Sequence, residues 1–382
     1  MTLPFIPYGR HLVDDDDITA VIEVLRSDWL TTGPRVAEFE AAVAAFSGAR
    51  FAVAVANGTA ALHAVMHAIG IGPGDEVIVP AMTFAATANA VLFQGGMPVF
   101  ADVDPDTLLV DPADVEKKIP SRTRAIVPVD YAGQPCDYDV LHEISVRHDL
   151  VLVADACHAL GAEYKGKRAG SLADLTVFSF HPVKHITTGE GGMVVTDDAE
   201  LAERMRCFRN HGISTDHRQR EMQGTWYYEM QELGYNYRIT DIQCALGLSQ
   251  LKKLPAWLAK RRELAQMYDD LLGETTFSPL SKRPDVGHAY HLYVGRMLEG
   301  VDRKMVFQYM RGHGIGVNVH YLPVYLHPYY RQTLGTAPGL CPTAEELYER
   351  ILTLPLHQAM EETDVSRTVM LLKEALKSAG PV

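Results

Sequence analysis

Residues 151–155 read Val-Leu-Val-Ala-Asp, an unbroken apolar run closing on a carboxylate. A strand wetted on one side alternates apolar and polar residues. A continuous apolar run fits a strand covered on both faces, as in parallel sheets. Working outward, similar β-rich runs recur at 51–56, 76–80, 98–102 and 125–130. Between them lie 60–69, 85–93, 112–118 and 137–148, which read as helices. Strands alternating with helices predict right-handed strand–helix–strand units and a mostly parallel sheet with helices on both faces. Ligands of such sheets collect at the C-terminal ends of the strands. Asp155 ends one of these strands, and Asn57-Gly58-Thr59 directly follows another.

Further on, 175–180 and 192–196 read as strands flanking a turn at 187–191, and 201–210 and 240–251 as helices. A long helix over 254–272 carries the chain away. Beyond it, 288–297, 303–312 and 316–320 suggest a strand–helix–strand unit, followed by helices near 343–352 and 364–379. The expectation is an α/β protein with a large part, 1–253, and a smaller α+β part, 254–382.

The chain has 382 residues, 47% hydrophobic and 22% charged, with a formal net charge of −13. That charge argues against nucleic acid, whose phosphates need a basic surface, but leaves room for a local basic pocket. The five cysteines, Cys136, Cys157, Cys207, Cys244 and Cys341, are widely spaced and odd in number. This predicts neither a disulfide framework nor a zinc site, and a reducing compartment. The N-terminal stretch has no long apolar core and turns acidic at Asp14-Asp15-Asp16-Asp17. It reads as the charged start of a helix rather than a leader or metal site. No run reaches the ~20 apolar residues of a membrane helix, so a cytoplasmic protein is expected.

Three pieces carry chemistry. Lys184 lies in Ser179-Phe180-His181-Pro182-Val183-Lys184, a buried-looking strand running into a tight turn. Most lysines are solvated surface groups; one packed against a sheet end has a lowered pKa and an amine free to hold an aldehyde. Asp155 is either a turn former or the partner of a protonated pyridine nitrogen. Asn57-Gly58-Thr59 opens a helix, whose exposed N–H groups and dipole suit a phosphate, although many helices begin this way. Together these are the parts of a pyridoxal-phosphate site. Ser179 offers a hydroxyl, Phe84 a ring that stacks on a cofactor or packs in the core, and His158 a cofactor contact or a turn closure. His181, His185, His211 and His217 lack metal-ligand spacing.

The stretches VANGTAALHA, TFAATANA, VPVDYAG, ADACHALGAEYKGKRAGS, FSFHPVKHITTGEGG, LGYNYRITDIQCALGLSQLKK and GIGVNVHYLPVY follow in order nearly end to end. With them the chain resembles the fold-type I, aspartate-aminotransferase-like enzymes and, more closely, the DegT/DnrJ/EryC1/StrS sugar aminotransferases. SFHPVK-ITT-EGG, AYHLY and GIGVNVHYLP look most like the members that make a 4-amino sugar in pseudaminic acid synthesis. The resemblance implies Lys184 as the lysine that holds pyridoxal 5′-phosphate and Asp155 as the pyridine-nitrogen partner. Gly58, Thr59 and Ser179 would hold the phosphate, and Phe84 would stack on the ring. His158 stands where many relatives have Gln. Asn236 would reach the cofactor of a neighbouring subunit, implying a homodimer with shared sites. Tyr8, Asp28, Trp29, Leu30, Thr31, Asn57, Arg238, Val319, His320 and Tyr321 match positions lining a nucleotide-sugar pocket. The implied reaction moves an amino group from L-glutamate, through pyridoxamine 5′-phosphate, to C4 of a UDP-linked 2-acetamido-2,6-dideoxy-4-hexulose. Some members are dehydratases with histidine in place of the lysine. His185 adjoins Lys184, but the motif spacing puts lysine in that slot. A different UDP- or dTDP-keto sugar, or amination at C3, is the nearest alternative, and a non-catalytic relative a more distant one.

Overall fold

The computed structural model describes residues 4–215, 217–222, 224–273 and 275–380, without the side chains of residues 217–219. Seven strands form the central sheet: β1 (Phe51–Val55), β2 (Glu76–Pro80), β3 (Met97–Ala101), β4 (Thr123–Ile126), β5 (Val151–Asp155), β6 (Leu175–Ser179) and β7 (Gly192–Thr196). Their order is β1-β7-β6-β5-β4-β2-β3. Neighbours from β3 across to β6 are parallel. β7 runs antiparallel to both β6 and β1. The segment between β6 and β7 holds no helix to cross the sheet, so the chain turns back on itself.

The sheet is buried on both faces. Val53, Val55, Val177 and Val194 join one core cluster. Their alternates Ala52, Ala54, Phe178, Met193 and Val195 join another, as the period of two requires. Strand β4 stops at Ile126, short of the expected 130, because Pro128 has no N–H for the ladder. Val129 still bridges to Asp155.

The helices expected at 240–251 and 254–272 are one helix, Asp241–Leu272, with Pro255 inside it. Leu251, Leu254, Leu258, Arg261, Leu264 and Tyr268 are all buried. A continuous packed face therefore carries the helix through the proline. The expected division at 253/254 falls within this element.

Beyond the long helix, β8 (Phe277–Pro279), β9 (Tyr293–Met297) and β10 (Ile351–Leu354) make an antiparallel sheet in the order β8-β9-β10. Two expectations need correction. Residues 316–320 form no strand beyond the single bridge Asn318–Thr353. The helix expected at 343–352 is Pro342–Arg350, and the chain then enters β10. All four residues of β10 are buried, so sheet burial overrides helical continuation there. Among the described residues no helix is long and apolar enough to cross a membrane.

Candidate active site

The C-terminal ends of β1, β5 and β6 and the start of β7 meet at one edge of the sheet, where Gly192 pairs with both Val55 and Ser179. A cavity of about 960 Å³ opens there. Lys184, Asp155, Gly58, Thr59, Phe84, His158 and Ser179 all line it, as do Tyr8, Asn57, Val319, His320 and Tyr321.

Lys184 is presented by the β6–β7 connection. The Phe180 N–H donates to Gly191 O (2.9 Å), the Thr188 N–H to Phe180 O (3.0 Å) and the Lys184 N–H to His181 O (2.8 Å). Thr187 Oγ1 also donates to Phe180 O, at 3.0 Å. These bonds hold the segment as a closed loop over the sheet end. Burial lowers the pKa of the Lys184 amine, against an opposing pull from Cys157 and Asp155.

Asp155 is 5% exposed. Its Oδ2 accepts from Thr87 Oγ1 at 2.7 Å and its Oδ1 from the Cys157 N–H at 3.2 Å. Thr83 and Thr87 hydroxyls are 2.7 Å apart. Both threonines line the cavity; they fall within TFAATANA, but nothing in that stretch marks them as partners of Asp155.

The helix Gly58–Ala68 begins at the cavity, capped by Asn57, whose Oδ1 accepts from the Ala60 N–H at 2.8 Å. A Cβ on Gly58 would stand 3.1 Å from Ser179 Cβ and 3.5 Å from Cys157 Sγ. Glycine there keeps the helix start open beside the Thr59 and Ser179 hydroxyls.

The opposite wall comes from the C-terminal part. Tyr321 Oη lies 3.1 Å from His158 Nε2, and its ring sits 6.1 Å from that of Phe84. His320 Nδ1 is 2.9 Å from Thr353 Oγ1, and Tyr8 packs on the His320 ring. Burial holds His320 at about 3 and His158 well below the ordinary imidazole range, with Lys184 adding to both shifts. Both rings are neutral at physiological pH. His291, not singled out from the sequence, lines the same cavity.

The remaining expected residues lie elsewhere, and lie together. The Leu30 C=O accepts from the Asp241 N–H at 3.0 Å, and Thr31 bridges to Thr240. Asn236 bridges to Asn210, whose Oδ1 accepts from Arg238 at 3.0 Å. Asp28, Leu30, Thr31 and Asn236 are exposed, and Trp29 and Arg238 are half-buried. None of the six lines this cavity. Among the described residues no group of three or more His, Cys, Asp or Glu is placed to hold a metal.

A flat pyridine aldehyde phosphate fits the residues present. An amine, a hydrogen-bonded carboxylate and an open helix start with two hydroxyls share one cavity. The comparisons agree with this chemistry. The model of the DegT/DnrJ/EryC1/StrS aminotransferase family matches residues 12–373. The spore coat polysaccharide biosynthesis protein SpsC of Bacillus subtilis is 41% identical, with 98% of each chain covered. A putative sugar aminotransferase of Streptococcus pneumoniae, Spr1654, superposes with TM-score 0.94 at 34% identity in its PMP form, covering 98% of this chain and 100% of that one. Its PLP form gives 0.93 at 33%, with the same coverage. Helicobacter pylori PseC, an aminotransferase of pseudaminic acid biosynthesis, gives 0.92 at 36% identity, covering 98% and 100%.

Proposed function

Because the chain belongs to the DegT/DnrJ/EryC1/StrS aminotransferase family, we propose that it moves an amino group from L-glutamate to C4 of a UDP-linked 2-acetamido-2,6-dideoxy-4-hexulose. The chain is a sugar aminotransferase, and its cofactor is pyridoxal phosphate. The donor, the nucleotide, the position of amination and the residue roles below are the proposal. The observation that supports it most is the convergence of Lys184, Asp155 and the Gly58-Thr59 helix start on one cavity.

When bound, pyridoxal phosphate supplies an aldehyde that accepts an amino group and a ring that draws electrons from the adjoining carbon. Lys184 Nζ takes the proton from the donor's α-carbon, and in the return half delivers one to the acceptor's C4. Burial, which lowers its pKa, favours the free amine that this needs. Asp155, aimed by the Thr87 hydroxyl, would pair with the pyridine nitrogen. The Gly58 amide and the Thr59 and Ser179 hydroxyls would hold the phosphate. Phe84, 60% exposed, would stack on the ring, and His158 would contact the cofactor within the same cavity.

The same proposal makes the protein a homodimer. Asp28, Trp29, Leu30, Thr31, Asn236 and Arg238 then serve the cavity of a partner copy, while Tyr8, Asn57, Val319, His320 and Tyr321 hold the nucleotide sugar in their own. Supporting this, Trp226 is 84%, Leu233 75% and Met230 66% exposed in the stretch leading to Asn236. So large an apolar surface calls for a partner. The division into a cofactor-holding part, 1–253, and a smaller part, 254–382, belongs to the proposal as well.

The test is to incubate the holoenzyme with L-glutamate and a panel of UDP- and dTDP-linked 4-keto-6-deoxy and 3-keto-6-deoxy sugars, then determine the product's configuration. Amination at C4 of the UDP-linked 2-acetamido sugar is expected. Turnover of dTDP sugars alone, or amination at C3, refutes the substrate assignment. A dehydrated product refutes aminotransfer.

A further inference from the structure

His158 and His291 are 4% and 5% exposed, and both line the cavity. Their ring centroids are 4.4 Å apart with the planes inclined at 48°. The Nδ1 of each ring is buried without a hydrogen-bond partner among the described residues. Two such orphans on touching rings are a costly arrangement unless they satisfy each other. A neutral imidazole has one N–H and one lone pair, so the two Nδ1 atoms are complementary where the rings turn them toward each other. Burial keeps both rings neutral, so the match of one donor to one acceptor holds throughout the physiological range.

The far side of His158 sets the direction. Its Nε2 lies 3.1 Å from the Tyr321 hydroxyl. Burial pushes the Tyr321 pKa well above the ordinary phenol range, so Tyr321 carries its proton and needs an acceptor. His158 Nε2 with a lone pair provides it. His158 then carries its proton on Nδ1, and His291 Nδ1 must accept it. His185, whose ring lies 5.7 Å from that of His291, has Nε2 3.1 Å from Ala289 O. A carbonyl only accepts, so the His185 proton is on Nε2.

We infer that His291 is a positioning residue that fixes the tautomer of His158 and, through it, the direction of the Tyr321 hydrogen bond. With Tyr321 donating to His158, its remaining lone pairs face the cavity and accept from a ligand hydroxyl or N–H. With His158 protonated on Nε2 instead, the Tyr321 O–H would swing toward the ligand and reject the same group. His291 thus acts on acceptor recognition through His158 and Tyr321. The tautomer is a property of the ligand-free protein; its consequence for recognition rests on the proposed aminotransfer.

Two measurements decide it. In ligand-free protein carrying 15N-histidine, two-bond proton–nitrogen spectra should show His158 as the Nδ1–H tautomer. His291→Phe keeps a ring but no acceptor and should convert His158 wholly or partly to the Nε2–H form. His291→Asn supplies an amide oxygen and should restore it. An Nε2–H His158 in the unaltered protein, or no change in His291→Phe, overturns the inference. Should His291→Phe fail to fold, His291→Leu takes its place, and the unaltered protein's tautomer is decisive by itself. In the holoenzyme, His291→Phe should raise the KM for the sugar about tenfold with kcat within about twofold. Adding Tyr321→Phe should then cost nothing more, because both changes break the same chain. Additive losses overturn it. If no keto sugar is turned over, the aminotransfer reading has failed, and the spectra still decide the tautomer.

Discussion

Thr87 Oγ1 donates to Asp155 Oδ2 at 2.7 Å, with both groups buried at the sheet edge. A hydroxyl has one proton, so Thr87 can only accept from Thr83, 2.7 Å away on the other side. Thr83, Thr87 and Asp155 therefore form a directed chain that delivers hydrogen-bond polarity to a carboxylate from the first turn of the helix Ala85–Phe93. Thr87→Val keeps the shape and removes both bonds. It should cost about 1.5–3 kcal/mol of stability in chemical denaturation, the range for a bond to a charged group. The cofactor's dissociation constant should rise about tenfold, as the aim of Asp155 is lost. Unchanged cofactor affinity would show that Asp155 needs no such support.

Lys184 predicts two opposite effects. Lys184→Met should lower aminotransfer by about a thousandfold or more, since no other amine takes the proton. Its effect on the cofactor-free fold has the other sign. The folded-state pKa is lowered by burial, so between it and the ordinary lysine value the unfolded chain binds more protons. Stability rises with pH across that window, and the penalty is complete below it. Methionine carries no such penalty, so the cofactor-free variant should melt above the parent at pH 7. A lower melting temperature at pH 7 would count against a desolvated amine.

Two glycines at the same edge should respond differently. A Cβ on Gly192 would stand 2.4 Å from Asn57 O, a backbone atom that cannot move aside. Gly192→Ala should destabilise by about 1–3 kcal/mol, the usual cost of overpacking. On Gly58 the nearest contact is Ser179 Cβ at 3.1 Å, which a slight shift relieves. Gly58→Ala should therefore spare the melting temperature and weaken cofactor binding instead, because the methyl fills the helix start. Equal loss of stability in the two variants would contradict the geometry.

The contrast between these residues shows what the sequence made legible. Val151–Asp155 announced a buried strand because every residue before the carboxylate is apolar, and burial on both faces leaves no other pattern. Asp155 and Lys184 were legible because each closes or follows such a strand. The partners of Asp155 were not. Thr83 and Thr87 look like any helix-start threonines until the fold brings β5 alongside. His291 lies within AYHLY, but nothing in that stretch marks it as a neighbour of His158, from which it is far apart along the chain. Ile351 and Leu352 read as the end of the helix expected at 343–352 because apolar residues after a helical pattern fit both periods, and only the pairing with β9 decides between them.

Asp130 offers a test of burial at this edge that does not pass through the reaction. Its side chain is wholly buried; Oδ1 accepts from the Cys136 N–H at 3.0 Å and the Tyr138 hydroxyl at 2.9 Å, while Oδ2 has no partner among the described residues. Burial, with a smaller push from Asp155, raises its pKa to about 7. A raised carboxyl pKa means that the folded protein holds a proton the unfolded chain has released. Stability contributed by this group therefore falls as pH rises from its unfolded value to about 7, and is flat beyond. Asparagine keeps the acceptor for Cys136 and Tyr138 and does not titrate. The stability of Asp130→Asn relative to the parent should thus improve by on the order of 2 kcal/mol between pH 5 and pH 8. Denaturant unfolding at the two pH values measures it. A difference that does not change with pH would mean that Asp130 titrates as an ordinary carboxylate, solvated in spite of its position.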